Sequence, residues 1–127
     1  MPRRRTPDPL AEAIGSRIRA LRQERGLTAE RLAYESDLGS KGYLSDIEHG
    51  LALPSVHKLA IIAEHLGCAL LDLVTFPDGS DREALVDVTR HLGPGPLRKL
   101  LRQAKPARPK PAPGAPRTGR QSLPAPR

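Results

Sequence analysis

Residues 38–55 read LGSKGYLSDIEHGLALPS, and the spacing inside this stretch decides how the rest of the chain is organised. Ser40 has the short oxygen-bearing side chain of an N-cap, Leu44 and Ile47 stand three apart on one helical face, and Gly50 can close the C-terminus. Pro54-Ser55 then opens a further helix. The spacing predicts a short helix over 41–49 with one narrow apolar face. Its opposite face carries Lys41, Tyr43, Ser45, Asp46 and His49, which offer hydrogen bonds and charge where a surface helix needs only solubility.

Working outward, Asp8-Pro9 reads as N-cap and first helical residue of a helix whose apolar positions Leu10, Ile14, Ile18 and Leu21 recur at spacings of three and four until Gly26. Thr28 caps a second helix over 29–36, with Leu32 and Ala33 facing inward, and Gly39 marks the turn into the third. Ser55 caps a fourth, in which Val56, Leu59, Ile62, Ala63 and Leu66 repeat at helical spacing until Gly67. A short fifth holds Leu70, Leu71, Leu73 and Val74. Five helices on short connections, with no period-two segment, define an all-α domain over 8–77.

Two further amphipathic segments follow, forming a helical extension over 80–104. Ser80-Asp81-Arg82-Glu83 has capping-box spacing and starts a sixth helix that runs to about Leu92. Gly93-Pro94-Gly95-Pro96 reads as a turn, and residues 97–104 form a seventh helix with Leu97, Leu100, Leu101 and Ala104 on one stripe. Helices this short need a surface to pack on, so their apolar stripes are expected to dock on the domain or on another subunit. Residues 105–127 hold seven of the 14 prolines and one large apolar residue, Leu123, so this tail is expected to be disordered with polyproline II character.

The net charge of +7 is unevenly placed. Residues 10–76 hold seven lysines and arginines against nine acids, whereas residues 96–127 hold nine basic residues and no acid. With Arg3, Arg4 and Arg5 in an arm over 1–7, basic ends flanking a small domain point to a polyanion, most often nucleic acid. The single Cys68 excludes an internal disulfide and a multi-thiolate metal site. No apolar run approaches the ~20 residues of a membrane span, and no signal-peptide core follows the first residues. A location in the cytosol, on the nucleoid, is the expectation.

Residues 14–76 resemble the Cro/phage-repressor, or Xre, type of helix-turn-helix domain. The matching pieces are Ile14-x3-Ile18-x2-Leu21-Arg22-x3-Gly26-Leu27-Thr28, Leu32-Ala33, Tyr43-Leu44-Ser45-x-Ile47-Glu48-x-Gly50, and Pro54-Ser55 with Leu59, Ala63, Leu66-Gly67 and Leu73. The resemblance implies a five-helix fold whose third helix enters the major groove of double-stranded DNA. It also implies an ion pair between Arg22 and Glu48 that ties helix 1 to the end of helix 3. Three departures stand out: Ala29 replaces a common phosphate-binding glutamine, the loop Leu51-Ala52-Leu53 lacks basic residues, and the turn 36–39 is one residue longer than in the phage repressors. Two of these remove phosphate contacts, so the arginine arm and the cationic tail are expected to replace them.

On this reading Lys41 reaches guanine O6/N7 and Asp46 accepts from a cytosine amino group, each contact discriminating by ~1–3 kcal/mol. Ser45 reaches a base edge, and Gly42 lets the helix approach closely. Thr28, Ser40 and Tyr43, with Arg3, Arg4 and Arg5, are assigned to phosphates. Leu51 and Leu53 either meet a symmetry mate or pack inside the monomer. Leu85, Val88, Leu92, Leu97, Leu100 and Leu101 offer a second route to a homodimer, which suits palindromic half-sites.

The four histidines show no metal-ligand spacing, and no phosphate loop or activated nucleophile is present, so neither an enzyme nor a metal or other cofactor is expected. The leading expectation is a dimeric, sequence-specific transcriptional regulator. An antitoxin whose residues 80–127 bind a toxin, and a protein-interaction module that has lost DNA binding, are the alternatives.

Overall fold

Helices in this chain begin where a short polar side chain can accept from backbone N–H groups that a first turn leaves without intrahelical partners. In the computed structural model, which describes residues 6–104 and 112–114, Asp8 accepts from the amides of Leu10 and Ala11 at 3.0 and 3.1 Å and starts α1 (Pro9–Glu24). Thr28 accepts from Arg31 to start α2 (Ala29–Glu35), Ser40 from Tyr43 to start α3 (Lys41–Glu48), and Ser55 from Lys58 to start α4 (Val56–Leu66). In α5 (Leu70–Leu73) the capping is reversed: the Asp72 carboxylate accepts from the Ala69 amide at 2.9 Å. Ser80 caps α6 (Asp81–Thr89) by accepting from Glu83. α7 (Pro94–Gln103) completes an all-helical set among the described residues.

The chain divides after Gly93 into two compact units. In the first, Ile14, Ile18, Leu21, Leu32, Leu38, Leu44, Ile47, Leu59, Ile62, Leu66 and Leu73 form one core. Ile18, Leu32, Leu44, Ile47, Ile62 and Leu73 are fully buried, and each such side chain contributes about 1.5–3 kcal/mol. The turn into α3 supplies one of the core residues from outside any helix. Asp37 and Gly39 both take positive φ, 51° and 84°, which swings Leu38 back beneath α2, where its amide donates to Ala33 O at 3.1 Å. Cys68 is half-buried against the core; burial, and then the charge of Asp72, push its thiol up.

Three sequence expectations change here. Leu10, Val56, Leu71 and Val74 share the helical periodicity yet are exposed, because a helix buries only the part of its stripe that meets its neighbours. The stretch Gly93-Pro94-Gly95-Pro96 is not a turn between helices: α7 already begins at Pro94. Proline fits there because amides in the first turn have no intrahelical acceptor and its fixed φ is already helical. α6 in turn stops at Thr89, whose hydroxyl donates back to Leu85 O at 2.7 Å, so Leu92 lies beyond its end.

The attachment of α6 is made by its polar side. Arg17 donates to Asp72 O at 2.8 Å and pairs with Asp87 at 2.6 Å, and Arg90 bridges Asp87 at 3.1 Å and Glu24 at 2.5 Å. The Glu83 carboxylate, which the capping box assigns to the Ser80 amide, instead accepts from the Phe76 amide at 3.0 Å. Leu85 and Val88 are left exposed. Of the two docking modes open in the sequence, burial of the α6 stripe on its own domain is therefore not the one adopted. In the second unit, Leu97, Leu100 and Leu101 of α7 are exposed as well.

This latch titrates. The Arg17 guanidinium, then that of Arg90, holds the Asp87 carboxyl below its ordinary value, and Arg90, then His91, lowers that of Glu24. Depressed carboxyls contribute stability above the unfolded-state value of about 4, and that contribution disappears as pH falls through the lower folded-state values. Amide exchange in α6 should accelerate below about pH 4 before the core opens, and Asp87→Asn should produce the same acceleration at neutral pH. Equal protection of α6 and α1 throughout an acid titration would contradict the latch.

Candidate nucleic-acid interface

α3 is held from behind by Leu44 and Ile47, and its mounting on α1 is unusually close. A Cβ placed on Gly15 would collide with Ile47 O and lie 2.8 Å from Glu48 O, so only glycine permits this crossing. Just past the end of α3, Gly50 (φ 75°) approaches the Glu12 backbone with similar closeness. Beside the crossing, Arg22 Nε donates to Glu48 Oε1 at 2.6 Å and its NH2 group to Oε2 at 3.3 Å, while NH1 donates to Leu27 O at 2.9 Å. The two side chains are only 12% and 6% exposed. This fork-to-fork geometry joins α1, the entry to α2 and the last turn of α3 in one polar cluster.

The outer face of α3 is what these contacts leave uncovered. Lys41, Gly42 and His49 are exposed, and Tyr43, Ser45 and Asp46 are half-buried. Lys41 Nζ donates to Glu30 Oε1 on α2 at 3.1 Å. The Tyr43 ring lies 5.5 Å from the Lys58 ammonium of α4, which places a cation and a phenol side by side next to the α3 N-terminus. Ser45 and His49 share a turn: His49 Nδ1 donates to Ser45 O at 2.7 Å, which leaves Nε2 as the acceptor of a neutral ring. The Asp46 carbonyl accepts from the amides of Leu51 and Ala52, so the exit loop folds back on α3. Thr28 and Ser40 use a lone pair for capping, and each hydroxyl keeps its O–H donor.

In the loop after α3, Ala52 and Pro54 are buried and Leu53 packs partly on the core. Leu51 is half-buried outside that core, beside Pro7, Glu12, Ser45, Asp46 and His49. Arg3, Arg4 and Arg5 lie outside the described residues, as does all of the tail except 112–114. Sequence reasoning missed Gly15, Glu30 and Lys58, and it read Gly50 as a helix end without its close approach to α1. A glycine between Ile14 and Ser16, inside a helical pattern, is a readable sign of close backbone approach. The Glu30–Lys41 and Tyr43–Lys58 meetings, by contrast, join different helices and leave no local signal. Among the described residues no cluster of histidine, cysteine or carboxylate side chains could hold a metal ion, and no helix is long and apolar enough to cross a membrane.

Comparison with known proteins agrees with this architecture. The helix-turn-helix domain family matches residues 13–75. The uncharacterized HTH-type transcriptional regulator y4dJ of Sinorhizobium fredii is 38% identical over 69 residues, which cover 54% of this chain and 88% of that protein. The immunity repressor protein of Bacillus phage phi105 is 41% identical over 61 residues, 48% of this chain and 42% of the repressor. Among solved structures, the clp gene regulator ClgR from C. glutamicum superposes with a TM-score of 0.51 at 34% identity, covering 56% of this chain and 90% of that one. The SinR protein/SinI protein complex gives 0.53 at 30% identity, covering 72% and 94%. Regulators of this kind are not enzymes, and neither is this chain. Its helix order and its sequence place it in the Xre-type, Cro/phage-repressor family of helix-turn-helix proteins, as a DNA-binding transcriptional regulator.

Proposed function

We propose that the chain regulates transcription as a homodimer that lays α3 of each subunit in successive major grooves of a palindromic site. The observation that carries this reading is the division of α3 into a fully buried back, Leu44 and Ile47, and a polar front on which Lys41 and His49 are exposed and Ser45 and Asp46 half-buried. Lys41 and Asp46 read base edges, with Ser45 beside them and Gly42 permitting close approach; Thr28, Ser40 and Tyr43 hold phosphates. Arg3, Arg4, Arg5 and the basic tail add further phosphate contacts, with steep salt dependence. The apolar residues that α6 leaves outside, Leu85 and Val88, with Leu92 and the α7 stripe Leu97, Leu100 and Leu101, supply the subunit contact, and Leu51 adds to it near the groove.

Selection of duplexes from a random library with the purified full chain should return inverted repeats whose half-site centres lie about one helical turn apart. Lys41→Ala and Asp46→Ala should each weaken the selected site by about tenfold or more and relax preference at a single position, in keeping with ~1–3 kcal/mol per contact. Retention of the same sequence preference by both variants would defeat the assignment. A second reading draws on the same exposed residues of α6 and α7. A solved relative is a complex of two different proteins, and a partner bound through residues 80–104, such as a toxin neutralised by an antitoxin, fits an unburied stripe equally well.

A further inference from the structure

We infer that Glu30 determines specificity by acting on Lys41; the inference rests on α3 being the groove-reading helix. Glu30 stands at the second position of α2 and Lys41 at the first of α3. Their side chains meet at 3.1 Å on the outer surface, where they are 72% and 62% exposed. An ion pair this open contributes little to folding. Its position gives it a different role, because it sits at the residue best placed to enter the groove.

An ammonium carries three N–H donors. Glu30 engages one, and two remain, the number that guanine O6 and N7 accept. The carboxylate thus anchors a lysine that would otherwise be a point charge on a flexible stem, and turns it into an oriented two-donor group. The same carboxylate cancels the attraction that the lysine would exert on any passing phosphate. Against a duplex with no guanine in register, Lys41 stays neutralised; against the correct half-site, it donates without having to leave Glu30. Glu30 lowers affinity for arbitrary DNA while sparing the preferred site. Its neighbour Asp37, which lines the same hollow between α2 and α3, adds a second negative charge to that barrier.

The test uses the full chain, the duplex recovered by selection and a scrambled duplex of equal composition, titrated between about 50 and 200 mM salt. Glu30→Gln should bind the scrambled duplex about threefold more tightly and steepen its logarithmic salt slope by about 0.9, one additional phosphate. It should also lose roughly tenfold of the discrimination between guanine and adenine at the position read by Lys41. In a Lys41→Ala background the same change should leave slope and base preference where they are, and the melting temperatures of all variants should agree closely with wild type. Equal effects of Glu30→Gln in both backgrounds would reduce Glu30 to general charge repulsion and overturn the inference. So would an unchanged ratio of preferred to scrambled binding, or a selected site with no guanine whose recognition depends on Lys41. Failure of the wild-type chain to bind any duplex is a separate result, which removes the groove-reading assignment itself and the inference with it.

Discussion

Gly15→Val should cost the domain about 3 kcal/mol or prevent folding, and even Gly15→Ala should destabilise it. In an open helix the alanine change is favourable by about 0.8–1 kcal/mol, so the sign itself is diagnostic. At Gly15 the added Cβ meets the carbonyl oxygens of Ile47 and Glu48, backbone atoms that cannot rotate away. Forcing extra carbon into a packed crossing typically costs ~1–3 kcal/mol, enough to outweigh helix propensity. For a domain of this size, a loss of about 2 kcal/mol lowers the melting temperature by roughly 8–16 °C. Gly42 is the internal control: the nearest atom to its Cβ is Ser40 Oγ at 3.8 Å. Gly42→Ala should therefore stabilise the chain by about 0.5–1 kcal/mol, and a simultaneous loss of DNA affinity would mark close approach of α3 to the duplex. Stabilisation by Gly15→Ala in thermal or urea unfolding would refute the crossing described above.

The second large effect is expected at Glu48. Glu48→Ala removes the fork that receives Arg22 and leaves a guanidinium, 12% exposed, with only Leu27 O as its acceptor. Breaking a buried pair from one side costs about 3–5 kcal/mol, because the remaining charge is desolvated without compensation. Glu48→Gln keeps an acceptor and should fall between wild type and alanine. The double change Arg22→Met with Glu48→Leu should recover most of the loss, since a buried pair often contributes little beyond apolar groups of similar volume. That double variant also separates two roles of the pair. If it folds as well as wild type yet binds the selected site poorly, the ion pair sets the attitude of α3; wild-type binding would confine it to holding the fold. An unchanged melting temperature for Glu48→Ala would rule out the buried pair altogether.

The starts of the helices were legible in the sequence because capping is local chemistry. Asp8, Thr28, Ser40, Ser55 and Ser80 each cap within three residues of themselves, and all five accept the amides that their spacing indicates. The buried stripe of α3, and that of α1 apart from the exposed Leu10, were legible for the same reason, as their periodicity survives without knowledge of any partner. What escaped depends on distance. Val56 obeys the repeat of α4 but lies beyond the reach of its neighbours, and Glu83 satisfies the box spacing while its carboxylate finds the Phe76 amide. The polar mounting of α6 could not be read either, because Arg17 and Asp87 are 70 residues apart. At the candidate interface, the residue types on α3 were readable from their pattern. The contacts that orient them, from Gly15, Glu30 and Lys58, come from other helices.

Held by charge instead of by burial, α6 answers to the electrolyte around it. Concentrated salt screens the open Glu24 end of its attachment first and the shielded Arg17 end last, and leaves Ile18, Leu44 and Ile62 untouched. The molecule can thus surrender α6 while the platform beneath α3 stays rigid.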